Sequence, residues 1–138
     1  MKYKVVLISI IHRKNFKEVL LVKRGRGSHI GKWALPGGVG ALEEEKDPFK
    51  AINIEVNLDF KVKFESNFHS LKFVSSPEPM LYLYFHGEII GEPKIKENSK
   101  SMKELKWFLI EEALEMDIAF EEKGNPVLQK LKNDNKSR

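Results

Sequence analysis

The segment Gly31-Lys32-Trp33-Ala34-Leu35-Pro36-Gly37-Gly38 follows directly on the strand-like run Val19–Arg24, and it constrains the fold more than any other stretch. Proline pre-sets its own φ and glycine takes positive φ without cost, so Pro36-Gly37 fits a type II turn. Alone, that is only a turn. Around it crowd Lys23, Arg24, Arg26, His29 and Lys32. These cations could meet a diphosphate, or they could form an exposed basic loop. Trp33 could stack a base or anchor the turn.

A chain of 138 residues fits one domain. With 41% apolar residues it is a folded globular sequence. No apolar run approaches the ~20 residues needed to span a bilayer. The N-terminus is too short and lacks the small-residue site for a signal peptide, so Val5–Ile11 reads as a buried first strand. The absence of cysteine excludes disulfides, thiolate metal sites and a cysteine nucleophile, and it suggests a reducing cytoplasmic location. The net charge is +4. Most of it sits in Lys130, Lys132, Lys136 and Arg138 near the C-terminus. That composition reads as a frayed basic tail over residues 133–138 behind a domain of residues 1–132, not as a nucleic-acid arm. The expected partners therefore include no specific nucleic acid and no membrane.

Strands are expected at Val5–Ile11 and Val19–Lys23, around a polar turn at His12–Lys17. Leu71–Val74 and Met80–Phe85 flank a turn-rich connector, and Leu105–Leu109 leads into a short helix at Glu111–Leu114. Asn125-Pro126 reads as a cap and first helical position, with Val127, Leu128 and Leu131 as one apolar face. This order of elements predicts an α/β sandwich.

Residues 52 to 64 carry a conflict. Every even position from Ile52 to Phe64 is apolar and every odd one is polar or charged, which is strand periodicity. Against it, Asp47-Pro48 is a helix start. The competing helix would be apolar nearly all round, with Ala51, Ile54 and Leu58 on one side and Phe49, Ile52 and Val56 on another, and so buried between layers. The reading adopted is a helix over about 48–58 followed by a strand over about 60–66.

The Gly31–Gly38 segment resembles the entry to the signature box of the Nudix (MutT-like) hydrolases, G-x5-E-x7-R-E-U-x-E-E-x-G-U. Trp107–Leu114 and Asp117–Phe120 look like the closing segment of ADP-ribose pyrophosphatase-like members. The resemblance implies the Nudix α/β/α sandwich around a mixed β-sheet. The box itself is degenerate. Counted from Gly38, Glu44 takes the first box glutamate, Ile52-Asn53 replace Arg-Glu, and Val56-Asn57 replace the Glu pair. Counted from Asp47-Pro48-x-x-Ala51, Ile54 replaces the arginine, Glu55 keeps the first helix glutamate, and Leu58 and Asp59 replace the pair. The second register respects the cap and is preferred.

In that register Glu55 and Asp59 stand at i and i+4 and share a helix face. Their oxygens suit Mg²⁺ or Mn²⁺. The implied metal set is Glu44, Glu55 and Asp59, and the implied catalytic set is Glu55, Asp59 and Glu104, the last from a Glu-x-x-Trp-Phe strand. With an alkyl group at the middle position and no arginine, the metal site is expected to be weak. Solvated surface acids are the other reading. Arg24, Arg26, Trp33, Gly37 and Gly38 are the implied substrate contacts. The expected ligand is a small-molecule nucleotide such as ADP-ribose, and a homodimer is left open. Two functions follow: a metal-dependent hydrolase of a nucleoside diphosphate derivative with weakened or lost catalysis, or a non-catalytic nucleotide-binding or interaction module.

Overall fold

Ten residues from Lys4 to Arg13 form the first strand, β1, and its centre is buried on both faces. Leu7, Ile10 and Ile11 are wholly inaccessible, which explains the unbroken apolar run. The computed structural model describes residues 3–39, 42, 45–121 and 125–136. The remaining strands are β2 (Glu18–Arg24), β3 (Trp33–Ala34), β4 (Gly37–Val39), β5 (Lys63–Val74), β6 (Met80–Ile90) and β7 (Met102–Leu109). Helices described in full are α1 (Pro48–Phe60), α2 (Ile110–Glu115) and α3 (Pro126–Lys136).

The chain divides into two compact units. The first comprises Met1–Ile11 and Pro36–Lys94. In it β1 runs parallel to β6, while β4 pairs antiparallel with β1 and β5 antiparallel with β6. The sheet is therefore mixed, and α1 packs on β5. The second unit comprises His12–Leu35 and Ile95–Arg138. There β2 lies between β3 and β7, antiparallel to both. Helix α3 starts as expected, with Asn125 Oδ1 accepting from the Leu128 amide at 3.2 Å. It continues to Lys136, four residues into the stretch read as a tail.

Helix α1 wins the conflict over residues 52 to 64. Asp47 caps it, its side chain accepting from the Phe49 amide at 2.9 Å, and Pro48 takes the first turn. Lys61 ends it in the left-handed region at φ 58°, with its amide bonded to the Asn57 carbonyl. The alternating pattern is two helical stripes at i+4 spacing. Ile52, Val56 and Phe60 are buried, whereas Ile54 and Leu58 lie on the opposite stripe and are 49% and 70% exposed. Burial between layers is thus corrected: one face only is covered, which is what an amphipathic surface helix requires.

The type II turn expected at Pro36-Gly37 is also corrected. Gly37 does not adopt positive φ; it opens β4 opposite Ile8. A Cβ on Gly37 would strike the Leu7 carbonyl and the Ile8 side chain. The glycine is needed for close approach of two strands. The Pro36 carbonyl then accepts from the Ser9 amide at 2.8 Å and from Ser9 Oγ at 3.1 Å.

Candidate functional site

Glu55 and Asp59 lie one turn apart on α1, and both are half-buried. β4 brings Gly38, opposite Leu7, so close to the helix that a Cβ there would collide with Glu55 Oε1. Glu55 Oε2 is buried without a hydrogen-bond partner among the described residues. Burial, and secondarily the negative charge of Asp59, pushes the Glu55 carboxyl up to about 7. Burial likewise raises Asp59 above its ordinary value. Two acids that resist ionisation, one with an orphaned oxygen, form an electrostatically costly pair.

The side chains that the two registers would put in the box sit in different surroundings. Val56, which the first register substitutes for a box glutamate, is buried in the core. Asn53 Oδ1 accepts from Ser66 Oγ at 2.9 Å, and Asn57 Nδ2 donates to the Val62 carbonyl at 3.2 Å. Leu58, assigned by the second register to the middle carboxylate, stands exposed beside Glu55 and Asp59. Ile54, in the arginine position, is exposed too. Glu44 lies outside the described residues. Glu45 Oε1 accepts from the Asp47 amide at 3.1 Å and so belongs to the helix start. Among the described residues no three His, Cys, Asp or Glu side chains gather in a group that could hold a metal ion.

The hard oxygen donors of Glu55 and Asp59 fit Mg²⁺ or Mn²⁺, and a cation would satisfy the orphaned Glu55 Oε2. Two carboxylates leave most of the coordination to water or ligand.

In the second unit, Glu104 stands opposite Lys23 across β2 and β7, with its carboxylate 4.0 Å from the ammonium. Lys23 also lies 5.9 Å over the ring of Trp33, which meets Phe108 edge-on at 4.9 Å. The Trp33 carbonyl accepts from the Ala119 amide. Trp33 is therefore a half-buried anchor of this sheet. Arg24 organises its own loop: Nε donates to the Ser28 carbonyl at 2.8 Å and Nη2 to the Arg26 carbonyl at 3.4 Å. Its guanidinium lies 4.7 Å over Phe120, and Phe120 stacks on His29 at 4.6 Å. Lys32 pairs with Asp117 at 2.7 Å. Arg26 is exposed. Sequence reasoning placed Asp117 and Phe120 in a closing segment without linking them to these cations. The acid and the aromatic were the available signal.

No protein-family profile matches the chain, and no curated protein matches it by sequence. Solved structures do match it by fold. The solution structure of the ORF135 protein of E. coli aligns over 100% of this chain and 94% of that one, with a TM-score of 0.78 and 21% identity. The MutT protein of Methanosarcina mazei Go1 gives 0.76 and 18% identity over 97% and 96%. The NUDIX domain of Shewanella oneidensis NrtR, solved with ADP ribose, gives 0.72 and 15% identity over 99% and 89%. At these identities the likeness defines a fold: this is an α/β chain with a mixed sheet and the Nudix architecture. Its neighbours in fold include Nudix and MutT hydrolases. Among the described residues no helix is long and apolar enough to cross a membrane.

Proposed function

We propose that this chain binds a nucleoside diphosphate derivative such as ADP-ribose together with a weakly held Mg²⁺ or Mn²⁺, and hydrolyses it slowly. The observation that carries this reading is the buried Glu55 oxygen beside Asp59, which has no hydrogen-bond partner among the described residues. A bound cation would offset both the unmet oxygen and the repulsion between the two carboxylates. Glu55 and Asp59 would hold the ion by their carboxylates, and Gly38 keeps Glu55 oriented by leaving room for Oε1. When bound, the ion would polarise a phosphate and make water a better nucleophile. Leu58 supplies no oxygen, and with Ile54 no cation steadies Glu55, a loss that typically costs metal affinity roughly 10–100-fold.

A second reading, binding without turnover, is favoured by one observation. Leu58 occupies the middle of the carboxylate face and is 70% exposed.

The decisive experiment incubates the protein with ADP-ribose, NADH, dinucleoside polyphosphates and nucleoside triphosphates, with and without Mn²⁺. Slow metal-dependent cleavage of one of these, abolished by Glu55→Gln and raised by Ile54→Arg with Leu58→Glu, is the expected result. No product, but a higher melting temperature with one nucleotide, selects the binding reading. No ligand and no metal effect on melting would overturn both.

A further inference from the structure

Strand β5 ends the strand order of the first unit and is twelve residues long. A one-residue irregularity at His69 divides it: Phe68 faces Phe85, whereas Ser70 already faces Tyr84. The partners on β6 show what this does. Phe64, Ser66, Phe68, Leu71 and Phe73 lie opposite Ile89, Gly87, Phe85, Leu83 and Leu81, which alternate onto one face. Lys63, Glu65, Asn67, Ser70, Lys72 and Val74 share the other face.

The first face leaves apolar surface uncovered. Leu71 is 61% exposed, and Phe49, Phe68 and Phe73 are 45% exposed. Phe49 and Phe68 both touch Phe85, and further along the strand Tyr3 meets Phe73 edge-on. On the other face Glu65 stands directly opposite Glu88, an unfavourable like-charge pair.

We propose that β5 pairs antiparallel with β5 of a second copy of this chain, about a two-fold axis at Phe68–His69. In an antiparallel pair, opposed residues must share a face. Pairing across the irregularity therefore fixes which registers are allowed. The register centred on Phe68–His69 sets Glu65 against Lys72 of the partner subunit, twice by symmetry. It also sets Phe64 against Phe73 and Ser66 against Leu71. The next register one way opposes Lys63 to Lys72; the next the other way leaves Glu65 opposite Val74. Charge selects the central one. Each lysine would also neutralise the Glu65–Glu88 pair. A bulge ordinarily discourages pairing at a sheet edge, but at a two-fold axis it meets its own copy.

Sedimentation velocity over a concentration series tests this, with no nucleotide needed. The natural chain is expected to form a concentration-dependent dimer. Glu65→Lys relieves the repulsion with Glu88 inside the subunit, so its melting as a monomer should not fall. The dimer dissociation constant should nevertheless rise roughly tenfold, because two attractive pairs become repulsive. Glu65→Lys combined with Lys72→Glu should restore dimerisation. Lys72→Glu alone should act like Glu65→Lys, and it serves as the independent variant if the latter misfolds. A monomer at every soluble concentration would overturn the proposal, as would a dimer indifferent to these charge changes.

Discussion

Replacing Glu55 by glutamine should make the protein more stable at alkaline pH than the natural chain, relative to the same comparison in acid. The carboxyl titrates near its model value of 4.5 when unfolded and at about 7 when folded. Between those values the folded state holds a proton that the unfolded state has lost, so stability falls as pH rises through the interval and levels above it. The full shift corresponds to about 3 kcal/mol. From about pH 5 to about pH 8, linkage predicts a loss of about 2 kcal/mol after discounting for the part of the carboxylate that meets solvent. Glutamine has no such titration. It leaves the buried amide with its own unmet hydrogen bonds, but that cost does not change with pH. Asp59, also raised by burial, adds a slope of the same sign to both proteins. Urea unfolding of both proteins at the two pH values gives the double difference. A Glu55→Gln effect identical in acid and base would refute the reasoning, because it would mean that the carboxylate ionises freely in the fold.

Gly38→Ala should push the Glu55 carboxylate toward solvent, at a cost of about 1–3 kcal/mol for the forced repacking. It should also flatten the pH slope just described, and the same urea titrations read both effects; an unchanged slope would mean that β4 does not hold Glu55 in place. Asp47→Ala removes the side-chain acceptor for the Phe49 amide and should cost about 1 kcal/mol, measured as a lowered urea midpoint at neutral pH. No change would mean that the cap is dispensable.

The sequence was most readable where structure is decided locally. Asp47-Pro48 outweighed thirteen residues of alternation because a cap fixes the chain's direction at once, whereas alternation becomes a strand only if a neighbour supplies hydrogen bonds. Glu55 and Asp59 were readable as a pair because i and i+4 share a face in any helix. Their burial was not, because it depends on β4 approaching the helix at Gly38. The same limit explains Pro36-Gly37. The dipeptide suits a turn, and only the partner strand at Leu7 and Ile8 reveals that the glycine serves packing instead. The sequence suggests two separate strands here, at about 60–66 and 71–74, with Ser66-Asn67 and His69-Ser70 between the apolar residues. In the structure they are one strand, β5, with the irregularity at His69. The basic residues after β2 were legible as charge, but their anchoring depended on distant Asp117 and Phe120.

The parallel pairing of β1 with β6 has a consequence for how the chain reaches this structure. Lys4 meets Met80 and Ile11 meets Gly87, across more than half of the sequence, whereas β5 and β6 are joined by only a short connector. Closing the longer loop costs more chain entropy before any contact compensates for it. The β5–β6 hairpin should therefore form first and act as the template on which β1 docks. Substitutions within the hairpin should slow folding, and those in β1 should chiefly speed unfolding. Chevron plots for variants of Leu83 and Ile10 would show this division, and equal effects on both limbs for both residues would rule it out. On this account β1 takes its place only after β5 and β6 have paired, and β4, which pairs with β1, follows it.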